Sequence, residues 1–131
     1  HREDDMTDLA LFDLAARNAR WLGARQAVVA SNIANAHTPG YKASDLQPFE
    51  ETLARTRLTP TATSPAHMGA GEAAIVRAGA RETEGWETVY SGNNVTLEQQ
   101  LLKAGEVSRG HALNVGLTKA FHRMFLASVK G

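Results

Sequence analysis

Apolar residues recur along the first third of the chain at alternating steps of three and four. Phe12, Ala15, Ala19, Leu22, Val29, Ile33 and Ala36 fall on one line, interrupted only by Gln26. A helix, with 3.6 residues per turn, is the structure that gathers such positions on one face. Leu14, Trp21 and Val28 form a second row seven residues apart and widen that face. The pattern predicts a helix over 7–36, roughly 43 Å long at the standard rise, which is long for a domain of this size. It should stop at Ala36-His37-Thr38-Pro39-Gly40-Tyr41. Proline disfavours helical backbone in the residue before it, and Pro-Gly suits the centre of a type II turn.

The pattern then weakens. Asp45 to Arg57 reads as a short helix with Phe49 and Leu53 on one side, and 58–94 as loop-rich. Within that stretch Ala73 to Arg81 and Trp86 to Tyr90 are the candidate strands, both short. Helical spacing returns after Asn93-Asn94-Val95, where Thr96 and Gln99 have the spacing of a capping box. Leu97, Leu101, Ala104, Ser108, His111, Val115, Thr118, His122, Phe125 and Val129 keep the three-four alternation. Leu113, Leu117, Phe121 and Met124 add a richer stripe near the end. A second helix is therefore predicted within 95–131. Gly105, Gly110 and Gly116 lie inside it, each costing about 1 kcal/mol against alanine. Such a helix needs packing to persist, and its glycines admit a close neighbour. The expected fold is mainly α: a single domain over 1–131, with long terminal helices pairing as a coiled-coil-like hairpin around a middle segment that holds short strands.

Composition narrows the function. The 131 residues carry 14 cations and 14 carboxylates, for a net charge of zero. That balance disfavours nucleic acid, whose binding relies on displacing phosphate counterions, and a polybasic membrane anchor. No apolar run approaches the length of a membrane span. The acidic start, His1 to Asp13, is unlike a cleavable secretory signal. The absence of cysteine excludes a disulfide framework, a thiolate zinc site and a cysteine nucleophile. Aromatic residues make up only 6% of the chain, and alanine supplies much of the 43% that is hydrophobic. Since burial stabilises by about 25 cal/mol per Å², the core should be thin. The isolated chain is expected to have termini that order on assembly.

Candidate chemistry is sparse. His111 and His122 share a helix face about 16 Å apart along the axis, too far to hold one metal. Glu50-Glu51 and the group Glu82, Glu84 and Glu87 read as solvated faces. Phosphate loops, nucleophile elbows and zinc-protease motifs are absent from the sequence. No catalytic, cofactor-binding or metal-ligating residue is predicted, and no small-molecule substrate. Arg17, Arg20, Arg25 and Lys42 form a basic run with no acidic residue between Leu14 and Ser44. It is either a solvated face or a surface for an acidic partner. Two helices with wide apolar stripes bury only part of them against each other, and exposed apolar area marks interaction surfaces. Contacts that do not close on themselves build rings or helical filaments. The residues describe an assembly subunit.

Ala30-Ser31-Asn32-Ile33-Ala34-Asn35-Ala36-His37-Thr38-Pro39-Gly40-Tyr41 resembles the N-terminal signature of bacterial flagellar axial proteins, A-x-N-I-A-N-x-x-T-P-G-Y. Asn32, Ile33, Ala34, Asn35, Thr38, Pro39, Gly40 and Tyr41 carry the match. The segment from Gly92 to Gln100 is similar to one in proximal rod subunits, as are the segments from Trp21 to Gln26 and from Asp45 to Phe49. Ser108-Arg109-Gly110-His111 departs from the tyrosine-containing stretch common in relatives. The resemblance implies a structural subunit of the proximal flagellar rod, not an enzyme, assembling helically around the export channel and linking the basal body to the distal rod and hook. It implies a periplasmic location reached through the flagellar type III apparatus. Implied partners are other rod subunits, the rod-base adaptor protein, the export gate and the MS ring, together with self-assembly. On this resemblance Phe12, Leu22, Val29, Ile33, Leu101, Leu113, Leu117, Phe121 and Phe125 form the assembly interface, and the Thr38–Tyr41 turn aims the middle segment. The alternatives are another rod subunit of the FlgC type and a soluble helical adaptor.

Overall fold

A computed structural model of the chain describes residues 2–58 and 86–130. In order, these form α1 (Arg2–Ala34), β1 (Lys42–Leu46), α2 (Phe49–Leu58), β2 (Thr88–Asn94) and α3 (Leu97–Lys130). The fold is mainly helical, with long terminal helices of 33 and 34 residues and a two-stranded sheet between them. The strand expected over 73–81 lies outside the described residues.

The pairs that meet between the long helices fix their direction. Asn32 bonds Gln100, Leu22 lies against Gly110, Asn18 bonds Asn114, and Phe12 meets Phe121. Each step down α1 is matched to within one residue by a step up α3, so the helices run antiparallel as a hairpin. On α3 the seam passes through Gln100, Val107, Asn114 and Phe121, seven residues apart, with Ala104, His111 and Phe125 on the same side. Ala104, His111 and Phe125 belong to the stripe read from sequence. Leu101 and Val115 do not face the partner, being 57% and 51% exposed. The packed face is turned by one residue because Gln100 and Asn114, both polar, hold seam positions that an apolar pattern passes over.

α1 begins at Arg2, earlier than the pattern indicated, and ends at Ala34, two residues before the expected stop. The expected helix over 45–57 starts later, at Phe49. Pro48 precedes it, and its carbonyl accepts the N–H groups of Glu51 and Thr52. Residues 42–46 are instead a strand, antiparallel to β2, with Ser44 opposite Tyr90 and Leu46 opposite Thr88. The register shifts between Lys42 and Ser44. The strand expected over 86–90 is displaced to 88–94, the stretch that pairs with β1. The described core is small. Leu22, Val29 and Val107 are buried within the hairpin, and Ala43, Leu46 and Phe49 beneath the ribbon.

The glycines of α3 differ in their surroundings. A Cβ on Gly110 would lie 2.8 Å from Leu22 Cδ2, whereas one on Gly116 meets nothing within 4 Å. Leu22 is only 5% exposed and has little room to move. Gly110→Val should therefore lower stability by about 1–3 kcal/mol through overpacking. Gly116→Ala should raise it by about 1 kcal/mol through helix propensity alone. Urea titration followed by far-UV circular dichroism distinguishes the two directions.

Candidate functional site

The end of α1 is closed by its own polar side chains. Asn35 sends both its backbone N–H (3.1 Å) and its Nδ2 (2.9 Å) to the Ser31 carbonyl. Thr38 donates its N–H to the Asn35 carbonyl (3.0 Å) and its hydroxyl to Asn35 Oδ1 (3.2 Å). The Tyr41 N–H then bonds the Thr38 carbonyl at 3.2 Å, closing a turn in which Gly40 has φ 77°. Positive φ at that third position is what a type II turn requires, and glycine adopts it without strain.

This turn brings Tyr41 and β1 back over Asn32, which is 0% exposed. Asn32 Nδ2 donates to the Ser44 carbonyl at 2.7 Å and to Gln100 Oε1 at 3.0 Å. Its Oδ1 accepts the Tyr41 hydroxyl and the Ser44 N–H, both at 3.1 Å. A side-chain amide offers two donors and two acceptor positions, so its capacity is filled. Toward Ser44 it acts like a neighbouring strand, taking both the N–H and the C=O of one residue. Asn32 thus ties α1 to β1 directly, to the turn through Tyr41, and to α3 through Gln100, itself 1% exposed. Satisfied buried networks of this kind specify one arrangement, because any other leaves polar groups unpaired.

A charged cluster lies one to two turns further along. Arg25 grips Asp45 with two bonds, Nε to Oδ1 at 3.1 Å and Nη2 to Oδ2 at 3.2 Å. Its Nη1 reaches Glu106 Oε2 at 2.9 Å, while Lys103 Nζ lies 3.2 Å from Asp45 Oδ2. The guanidinium sits 5.7 Å from the Trp21 ring centre. Trp21 in turn donates Nε1 to the Gln47 carbonyl at 2.9 Å and packs on Phe49 at 6.0 Å. Burial raises the Asp45 pKa, but the Arg25 bond, the Leu46 amide and the charges of Arg25 and Lys103 outweigh it, leaving the carboxyl below its ordinary 3.8. A depressed carboxylate contributes stability that is present above its unfolded-state pKa and lost as pH falls through the folded value. Asp45→Asn should therefore be less stable than the parent at neutral pH. The gap should close below about pH 4, as urea midpoints across pH would show.

The proposed interface residues divide into three groups. Leu22 and Val29 are buried inside the hairpin, 5% and 3% exposed, and Ile33 is half-buried. Phe12, Phe121 and Phe125 form an edge-to-face cluster, with ring centres 6.3 and 6.4 Å apart. Leu101, Leu113 and Leu117 lie on the surface. In the signature, Asn32, Asn35, Thr38, Gly40 and Tyr41 make the joint, while Ala34, Thr38, Pro39 and Gly40 are exposed. The basic run is largely spent within the chain: Arg25 on Asp45 and Glu106, Arg17 on Asp13 at 3.0 Å. Sequence reasoning missed Gln100, Asn114, Asp45 and Glu106. The one available signal was the seven-residue spacing of Gln100 and Asn114 with Val107 and Phe121.

Among the described residues no group of three or more His, Asp or Glu side chains is placed to hold a metal ion, and no helix is long and apolar enough to cross a membrane. Two long helices locked at one end, with apolar faces left open, define a structural subunit. The sequence profile described as "Flagella basal body rod protein" matches residues 22–42, the end of α1, the turn and the first residue of β1. The flagellar basal body rod protein FlgB of Agrobacterium fabrum (strain C58 / ATCC 33970) is 43% identical over 134 positions, covering 98% of each chain. No solved structure gives a significant match. The chain belongs to the flagellar basal body rod protein family. Its role is that of a structural rod subunit, not an enzyme.

Proposed function

We propose that this chain forms the proximal part of the rod, assembling helically around the export channel and joining the basal body to the distal rod and hook. The observation that carries the reading is the Asn32 joint. It holds the two terminal helices as one wall element and lays the ribbon back over their joined end, which fits a subunit with an inner helical wall and the rest of the chain on one side of it. Similarity to a FlgB protein across nearly the whole chain favours the proximal position over the FlgC type. On this reading the chain is one domain, reaches the periplasm through the flagellar type III apparatus, and meets the rod-base adaptor, the export gate, the MS ring and other rod subunits. Leu101, Leu113 and Leu117 face neighbours directly. Leu22, Val29, Ile33 and the Phe12 cluster act by holding the hairpin that presents them.

Deletion of the gene, followed by swimming assays and electron microscopy of basal bodies, tests this. The expected result is non-motile cells with rings and no rod, restored by the wild-type gene. Normal rods and normal swimming would sink it.

A further inference from the structure

Four amides meet in pairs between the long helices, and their spacing is the same on both. Asn18 and Asn32 lie fourteen residues apart on α1, and Gln100 and Asn114 fourteen residues apart on α3. Asn32 bonds Gln100 at 3.0 Å within the joint. At the second pair Asn114 donates both Nδ2 hydrogens to α1, one to the Ala15 carbonyl at 2.8 Å and one to Asn18 Oδ1 at 3.2 Å. The Thr118 hydroxyl, one turn further on, donates to the Asn114 carbonyl at 2.8 Å and lies 3.5 Å from its Oδ1. Leu22, Val29 and Val107 are buried between the two pairs.

Apolar contact by itself does not choose this arrangement. Gln100, Val107, Asn114 and Phe121 line the seam, while Leu101, Ser108, Val115 and His122 form the adjacent line around α3. Each line has two apolar residues in four, and Ala104, His111, Thr118 and Phe125 lie between the two. Turning α3 toward the adjacent line would cover Leu101 and Val115, now 57% and 51% exposed, and would part both amide pairs. Sliding α3 by seven residues would set Val107 or Phe121 against Asn18, according to direction. An amide enclosed against apolar side chains has lost its water and gained no partner.

We propose that Asn18 and Asn114 are positioning residues, the second of two amide locks that fix the roll and the register of α3 against α1. One lock alone leaves α3 free to pivot about the joint. Two locks, roughly 21 Å apart at the standard rise, leave it the single placement in which both pairs form. Coiled coils use a buried asparagine in the same way, gaining a defined register at a cost in stability. The lock decides which apolar side chains of α3 stay outside, Leu101 and Val115 among them. It belongs to the single chain and does not depend on where that chain sits in a rod.

The chain has no cysteine, so spin labels can be confined to Ala16→Cys and Ala112→Cys, at exposed positions of the two helices. Pulsed dipolar spectroscopy then reads the distance between α1 and α3, with circular dichroism for helicity and urea titration for stability. The labelled parent should give one narrow distance. Asn18→Leu/Asn114→Leu should broaden the distribution about two-fold or split it, with an unchanged or higher urea midpoint, because apolar contact replaces the polar pair. Exchanging neighbours, Gln100→Leu/Leu101→Gln together with Asn114→Val/Val115→Asn, keeps the composition and moves both α3 amides by one residue. That variant should turn α3 and carry its label roughly 8 Å around a helix about 10–12 Å across, shifting the measured distance by several Å. Bonds that merely stabilise would lower the midpoint of the leucine variant and leave its distribution narrow, and that result would overturn the proposal. So would a broad distribution in the parent, or an exchange variant that stays helical at the parental distance. Should the exchange variant lose its helices, the leucine variant decides alone.

Discussion

Asn32→Ala should unfold the junction and cost about 4 kcal/mol. The substitution removes the bonds to Ser44 N–H, Ser44 C=O, Gln100 and Tyr41 at a site closed to water. Each buried polar group left unpaired costs about 1–3 kcal/mol. Ser44 and Gln100 bear most of that cost, since the Tyr41 hydroxyl can turn toward Ser31 Oγ, 3.4 Å away. Such a loss is a large part of the roughly 5–15 kcal/mol that holds an ordinary domain together. Asn32→Asp is the sharper variant because it keeps the shape. Gln100 can present its own N–H₂ to the new oxygen, but the Ser44 carbonyl then faces an acceptor. Asp should therefore fall between wild type and Ala. Urea titration by circular dichroism gives the order, and swimming of complemented deletion strains should follow it.

Phe12→Asp should act at the other end of the hairpin. Phe12 lies edge-on to Phe121 and Phe125, one turn from the bond that Asn114 donates to the Ala15 carbonyl. Truncating a buried Phe costs about 3–5 kcal/mol, and half-burial puts this site near the lower figure. The new carboxylate adds to an already acidic stretch and faces two aromatic rings. The expected outcome is local: amide exchange should accelerate through the first half of α1 and the last turns of α3, while the Asn32 junction keeps its protection. Uniform loss of protection across both helices would show that the hairpin unfolds as one unit.

The parts of this fold that were legible from sequence are those governed by local physics. The three-four spacing of Phe12, Ala15, Leu22 and Val29 read correctly as a helix face, and Pro39-Gly40 read correctly as a turn needing positive φ. The strand over 42–46 was hidden for a different reason. Nothing in Lys42-Ala43-Ser44-Asp45-Leu46 demands extended backbone. That conformation comes from Asn32, ten or more residues earlier, pairing with the Ser44 backbone, and from β2 more than forty residues later. The α3 seam was half legible. Ala104, His111 and Phe125 were placed on it, but Gln100 and Asn114 are there for their amides, and a search for apolar residues discards amides. The Asp45 cluster was invisible because its members are far apart in the chain and look like ordinary surface charge. The signature residues Asn32 to Tyr41 stood out as a motif, but their purpose as a joint becomes clear only from the bonds they share.

The most direct test of the account is electron cryomicroscopy of rods purified from basal bodies. The account predicts this chain in the segment nearest the inner membrane, with α1 and α3 antiparallel in the tube wall and the Asn32 amide bonded to Ser44, Tyr41 and Gln100. Rods without the chain, or with α1 and α3 parted and Asn32 facing solvent, would contradict it.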